Sequence, residues 1–261
     1  YAYYAARRYE LTQLLKAVEE KGLVLDEEYV TVLKQLSALQ FTDLDSYLFS
    51  QGTHQRLFEK LGAHIVKAGD KTIGTYFAVW APHAQEVCLL GNFNSWRYAS
   101  DYMYRIEYNG IWIMFMPEIG KNSLYKFAVK GSDGAIRYKS DPFAFLNQFP
   151  THKQQYATAS IVWDTAYQWK DKTWMQKRAA KQAIDASVSV YQVHHGSWML
   201  GEDNRFLTYR ELAPKLVDYI DVAKEDGMAY THVQFNPVTE HSFYPSMGYL
   251  VSNYYAPTSR Y

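Results

Sequence analysis

Two stretches of this chain hold groups that can take part in chemistry. The last one, NPVTEHSFYPSMGYLVSNYYAPTSRY, gathers aromatic rings and polar groups around Glu240 and His241. A carboxylate beside an imidazole is raw material for general acid–base work. A lone histidine beside a lone glutamate reads as a structural hydrogen-bonding pair. The other stretch, YQVHHGSW, sets His194 next to His195. Adjacent residues of a strand point to opposite faces and cannot share an ion, and no third ligand is evident. Neither a metal nor a cofactor is expected, and no residue reads as catalytic. Aromatic residues are abundant instead: they form 17% of the chain, and 24 residues are tyrosine. A ring with a flat apolar face and a hydroxyl suits a sugar.

Composition excludes several partners. Lys plus Arg and Asp plus Glu both number 27, which leaves no basic surplus for phosphates or anionic lipid, so neither nucleic acid nor a membrane is expected as partner. No apolar run approaches the roughly 20 residues of a membrane helix, and YAYYAARRYE lacks the apolar core of a signal peptide. Cys88 is the sole cysteine, so no internal disulfide can form, and a reducing, cytoplasmic location is expected.

The elements that must position these groups change along the chain. Leu11, Leu14, Leu15 and Val18 form one helical stripe, which Gly22 ends, and Val32, Leu33, Leu36 and Leu39 form a second. From about Lys71 the period shortens. GTYFAVWAP, EVCLLGNF, GIWIMFMP, SLYKFAVKG and SIVWD read as strands, with Tyr125, Phe127 and Val129 on one face and Lys126 and Lys130 on the other. Asn109-Gly110 and Asp133-Gly134 signal hairpin turns. Such closely spaced strands predict a small antiparallel sandwich with Trp80 and Trp112 in its core. The polar run after Trp163 reads as a connecting arm. SVSVYQVHHGSW and YTHVQFNPV then read as buried strands around a helix opened by a Thr208/Glu211 capping box and closed at Gly227. Pro214 predicts a kink or a separate first turn. Strand, helix and strand make a βαβ unit.

GTHQRLFEKLGAH, FAVWAPHAQEVCLLGNFNSW, GIWIMFMPEIG, LYKFAVKG, KSDPFAF, TASIVWD, YQVHHGSW, LTYRELAPKL and the closing THVQFNPVTEHSF…GYLVSNYYAPTSRY occur here in this order. Together they resemble the N-terminal portion of the 1,4-alpha-glucan branching enzymes, from about Asp43 to the last residue. The resemblance implies a multidomain chain: N-terminal helices, an immunoglobulin-like antiparallel β-sandwich that is a carbohydrate-binding module, and a (β/α)8 barrel. The boundaries expected are 1–56 for the helical segment, 57–164 for the module, 165–186 for the arm and 187–261 for the start of the barrel. Members of the family cut an alpha-1,4 bond and transfer the chain to a 6-hydroxyl by a retaining double displacement, with an aspartate nucleophile and a glutamic acid. A barrel needs about 250 residues. The expectation is that this chain holds only the first βαβ of an incomplete barrel, stops before the family's carboxylates and is inactive by itself. The rest of the barrel is expected to cover residues 187–261.

The resemblance also nominates substrate-binding residues. Tyr249 matches a tyrosine that stacks on the sugar in the cleavage subsite. Trp96 matches a tryptophan that offers its face to glucose rings in related modules, and Lys126 matches a lysine that reaches a sugar hydroxyl. The implied partner is an alpha-glucan such as glycogen, amylose or starch, in glycogen biosynthesis. Gln192, His195, Met247 and Leu250 depart from the family's usual Glu, Leu, Trp or Phe, and Gln, the last two within the substrate loop. The alternative reading is a noncatalytic alpha-glucan-binding protein that has lost the barrel.

Overall fold

The computed structural model of the chain describes residues 27–106, 109–149, 158–225, 227 and 230–261. The first helical stripe, Leu11 to Val18, lies outside the described residues. The chain divides into two compact units: one runs to Asp164 and includes Asn253–Ala256, the other comprises Thr165–Ser252 and Pro257–Tyr261.

The second stripe forms helix α1 (Glu27–Leu39), followed by α2 (Asp43–Ser50). Thr42 caps α2 reciprocally, its Oγ1 accepting from Asp45 N at 3.2 Å while its own N donates to Asp45 Oδ2 at 2.8 Å. The sandwich strands are β1 (Gly62–Ala68), β2 (Lys71–Trp80), β3 (Glu86–Gly91), β4 (Tyr104–Arg105), β5 (Ile111–Pro117), β6 (Leu124–Lys130), β7 (Ile136–Lys139), β8 (Leu146–Asn147) and β9 (Ser160–Ile161). One sheet has the order β1-β2-β5-β4, and the other β3-β6-β9-β8 with β7 also on β6. Every pairing in the two sheets is antiparallel. The hairpins expected at Asn109-Gly110 and Asp133-Gly134 join β4 to β5 and β6 to β7, and both glycines take positive φ, 66° and 74°. Strand β1 escaped the sequence reading, as did the short β7 and β8, which carry few of the apolar residues that flag a strand.

Alternation decides what each strand buries. Phe77, Val87, Leu89, Trp112, Tyr125, Phe127 and Val162 fill the space between the sheets. Phe77 and Tyr125 meet edge to face at 5.0 Å, and Tyr125 and Phe127 at 5.8 Å. The outer face of the first sheet is covered as well: Tyr76, Ala78 and Ile111 pack with Phe41, Leu39, Phe49 and Leu57. This is why β2 reads as an unbroken apolar run. Gln35 of α1 closes the free edge of β1, donating to Lys67 O at 2.6 Å and accepting from Lys67 N at 3.0 Å. Trp80 is a correction. It is 52% exposed at the end of β2, edge-on to Phe49 at 5.6 Å, because alternation puts it on the outer face with Tyr76 and Ala78 rather than between the sheets with Phe77 and Val79.

Several polar groups sit deep in this unit, Thr75, Asp141 and Ser160 among them. Asp141 is fully buried, accepting from Tyr125 Oη at 2.6 Å and Phe143 N at 2.8 Å, while its own N donates to Ser160 Oγ at 2.9 Å. Asn253 Nδ2 donates to the Asp141 carbonyl. Burial pushes the Asp141 carboxyl up to about 6, against the hydrogen bonds that favour its ion.

In the second unit β10 (Val190–Val193) and β11 (His232–Phe235) pair in parallel, Val190 opposite His232 and Val193 opposite Phe235. Helix α4 (Tyr209–Glu225) lies between them in the chain, and α3 (Lys172–Lys181) stands in the region expected to be only an arm. Residues of α3 are exposed all round, so the apolar stripe that announces a helix is missing. The capping box is present: Thr208 N donates to Glu211 Oε2 at 2.9 Å and Glu211 N to Thr208 Oγ1 at 3.3 Å. Helix α4 includes Pro214 within one span, so the proline does not set off a separate first turn. The carbonyl deprived of its donor by Pro214 is that of Arg210, which is exposed and open to water. Neither strand is buried as expected: of β10 only Val193 is enclosed, and β11 is partly or wholly exposed. Each has a single strand neighbour among the described residues, and the core around Val193, Leu207, Leu212 and Leu216 covers one face.

Candidate functional site

The outer face of the second sheet is built by register. In an antiparallel ladder directly opposed residues share a face. Leu90 stands opposite Lys126, Cys88 opposite Ala128, and Ala128 opposite Tyr138. The inward alternation of Tyr125 and Phe127 therefore sends Lys126 and Ala128 outward. Cys88, Leu90 and Ala128 form a small apolar floor with Tyr98 against it. On this face lies a hollow of about 400 Å³ lined by Leu90, Trp96, Lys126, Tyr138, Gln148 and Ala159. Gln148 and Ala159 arrive together because Gln148 N donates to Ala159 O at 2.8 Å beside the β8–β9 pair.

Trp96 reaches the hollow from the loop that follows β3. The chain turns there through two successive left-handed residues, Ser95 (φ 56°) and Trp96 (φ 58°), and again at Ala99 (φ 65°). Each such non-glycine residue costs on the order of 1–3 kcal/mol and persists only where its surroundings hold it. Asn94 supplies the hold. Its Oδ1 accepts from Gly91 N at 2.9 Å, and its Nδ2 donates to Leu89 O at 2.9 Å and Asp101 Oδ2 at 2.7 Å. Trp96 N donates back to Gly91 O at 2.9 Å, leaving the indole 41% exposed.

Lys126 is half-buried and has no carboxylate partner among the described residues, whereas Lys130, four positions on, pairs with Glu86 at 3.1 Å. Desolvation pushes the Lys126 ammonium below its ordinary value. The hollow thus offers two aromatic faces, one ammonium and one carboxamide, with no acid among its lining residues. This set can stack against and donate to a neutral polyol. It has no group placed to break a bond.

The structure brings Trp96 and Lys126 together as lining of one hollow. Tyr249 belongs to the second unit. Its ring is 67% exposed and its hydroxyl has no partner among the described residues. It follows a turn in which Met247 is left-handed (φ 52°), with Leu250 64% exposed beside it. Glu240 and His241 have a bracing geometry. Glu240 accepts from Thr258 Oγ1 at 3.0 Å, Ser259 N at 2.9 Å and Arg260 at 3.1 Å, while His241 N donates to Glu240 Oε1 at 3.0 Å. The two histidines of YQVHHGSW diverge: His194 meets Ser197 Oγ at 2.8 Å, and buried His195 meets Leu207 O at 2.7 Å and stacks on Tyr261 at 4.1 Å. Among the described residues no group of three potential metal ligands occurs, and no helix is long and apolar enough to cross a membrane.

Tyr138 and Gln148 were missed in the sequence. The Asp133-Gly134 turn carried the signal for Tyr138, because closing that hairpin sets it opposite Ala128, next to Lys126 on the outer face. No local signal pointed to Gln148, which depends on a pairing with β9.

Comparison with known proteins follows this geometry. Residues 60–144 match carbohydrate-binding module 48, described as the isoamylase N-terminal domain. Over 237 residues the chain is 44% identical to a 1,4-alpha-glucan branching enzyme GlgB of Synechococcus sp. (strain JA-2-3B'a(2-13)), covering 84% of this chain and 30% of that protein. It is 45% identical over 223 residues to the branching enzyme of Aquifex aeolicus, covering 84% of this chain and 34% of that one. An alpha-amylase-type crystal structure from Salmonella typhimurium is similar with a TM-score of 0.51 at 20% identity, covering 77% of this chain and 28% of that one, a likeness of fold alone. The resemblance read from the sequence is thereby borne out over most of its length. The chain spans about a third of the length of these curated relatives.

Proposed function

We propose that this chain, which corresponds to the N-terminal portion of the 1,4-alpha-glucan branching enzymes, holds an alpha-glucan on the outer face of its sandwich. Trp96 and Tyr138 are the stacking faces, Lys126 the cationic donor and Gln148 a second polar contact. The observation that carries this reading is the pairing of an exposed, left-handed Trp96 with a half-buried Lys126 that no carboxylate among the described residues neutralises, around one hollow. An apolar ligand would leave the ammonium unsatisfied.

In the whole protein the activity is branching: an alpha-1,4 bond is cut and the released chain is passed to a 6-hydroxyl. Tyr249 serves the cleavage subsite as a stacking ring, and its exposure leaves its face free for a sugar. The carboxylates of the double displacement belong to barrel strands beyond those described, and residues 187–261 begin that barrel, so the 261 residues alone do not catalyse. The half-covered state of β10 and β11 supports this, since barrel strands have neighbours on both sides. The storage glucan served is glycogen or a similar polymer, in the cytoplasm.

Affinity electrophoresis in gels containing glycogen tests the binding, with Trp96→Ala expected to lose retardation. Unchanged mobility of that variant would remove Trp96 from the site. The purified chain is expected to leave the iodine colour of amylose unchanged, and progressive fading would show that it carries its own catalytic groups.

A further inference from the structure

The proposed glucan surface depends on a ring whose backbone is held against its own preference, and we infer that Asn94 with Asp101 is the device that holds it. This rests on the binding reading above and adds a positioning pair to it. Ser95 and Trp96 both lie in the left-handed region, which bulky side chains rarely occupy. Nothing in their own chemistry selects that conformation. Asn94 sits immediately before them and uses both ends of its carboxamide. Oδ1 accepts from Gly91 N at 2.9 Å, while Nδ2 donates to Leu89 O at 2.9 Å, to Ser100 Oγ at 3.2 Å and to Asp101 Oδ2 at 2.7 Å.

One side chain therefore ties the end of β3 to the far end of the loop. The remaining bonds tighten the same knot. Trp96 N donates to Gly91 O at 2.9 Å, Arg97 N to Asn94 O at 3.2 Å, Leu89 N to Asp101 O at 2.9 Å and Ser100 Oγ to Asp101 Oδ2 at 2.7 Å. A carboxamide is required, because position 94 must accept on one side and donate on the other. Aspartate at 94 would keep the bond from Gly91 but bring a second carboxylate against Asp101. Released from this knot, Ser95 and Trp96 relax to ordinary backbone angles, and the indole leaves the hollow that Lys126 and Tyr138 still line. Asn94 touches no ligand in this scheme. It sets the fraction of molecules in which the ring is already in place, and apparent affinity scales with that fraction.

The test uses the whole chain labelled with 5-fluorotryptophan, which gives one fluorine resonance for each of its seven tryptophans, that of Trp96 being identified with Trp96→Phe. In Asn94→Asp without sugar, the Trp96 resonance is expected to shift or broaden while the other six stay in place. Affinity for maltoheptaose, measured by titration calorimetry, should fall by about tenfold if the competent population falls to about a tenth. The exchange variant Asn94→Asp/Asp101→Asn restores a donor facing an acceptor between the two side chains but not the bond to Leu89 O, and is expected to recover the resonance and the affinity in part. Asn94→Asp with wild-type affinity and an unmoved Trp96 resonance overturns the proposal, and so does an exchange variant no better than Asn94→Asp alone. If Trp96→Ala itself leaves maltoheptaose binding unchanged, Trp96 is no part of the glucan site. The fluorine spectrum of the sugar-free variants still decides whether Asn94 positions the ring.

Discussion

Asp141 gives a sharp test of how this sandwich is held together. Its carboxyl is fully buried, and burial raises it from the ordinary 3.8 to about 6. Below about pH 4 both folded and unfolded chains hold the proton, and ionisation costs the fold nothing. As pH rises the unfolded chain releases its proton first, while the folded chain keeps it until about 6. The stability contributed by the protonated form is lost through that window and does not return at higher pH. The interval between the two values corresponds to about 3 kcal/mol at 1.36 kcal/mol per pH unit. Asp141→Asn removes the titration and keeps the shape. The oxygen of the introduced carboxamide can still accept from Phe143 N, and its amide nitrogen can donate to the Tyr125 hydroxyl. Burial pushes that hydroxyl well above its usual range, so it stays protonated throughout. Urea unfolding of both proteins from about pH 4 to about pH 8 should show the variant gaining on the wild type by about 3 kcal/mol, with most of the gain between about 4 and about 6. Unfolding curves that stay a constant distance apart over the whole range would refute the argument.

Further substitutions probe other links. Gly91→Ala places a Cβ 2.2 Å from the Phe93 ring and 2.4 Å from Leu124 O, so a lower unfolding midpoint and loss of glycogen retardation are expected together. Lys126→Met removes a desolvated ammonium with no carboxylate partner among the described residues, so thermal stability should hold or rise while affinity for maltoheptaose falls, and equal affinity would exclude the lysine as a donor. Glu240→Ala leaves the buried Arg260 guanidinium without its carboxylate, an expected loss of about 3–5 kcal/mol, seen as faster proteolysis of the second unit.

Periodicity made much of the sandwich legible before any coordinates. The alternation in SLYKFAVKG set Tyr125 and Phe127 inward and Lys126 outward, and the two glycine turns fixed their hairpins. The Thr208/Glu211 cap was equally readable, since both partners lie within one turn. Trp96 and Lys126, which line one hollow, were nominated through the ordered motifs they sit in.

Other features depended on partners far away in the chain. The single span of α4 across Pro214 and the open faces of β10 and β11 follow from what packs, or does not pack, against each element. Gln148 reaches the hollow only because its backbone pairs with Ala159, and Asp141 titrates upward only because β6, β9 and Asn253 enclose it. By itself the amino-acid order determined which faces are apolar, where the chain turns and which family's motifs it carries, because those depend on neighbours a few residues apart. Tertiary structure alone decided that an indole, an ammonium, a phenol and a carboxamide from four separate segments line one hollow, because only strand register brings them within reach of a single ligand.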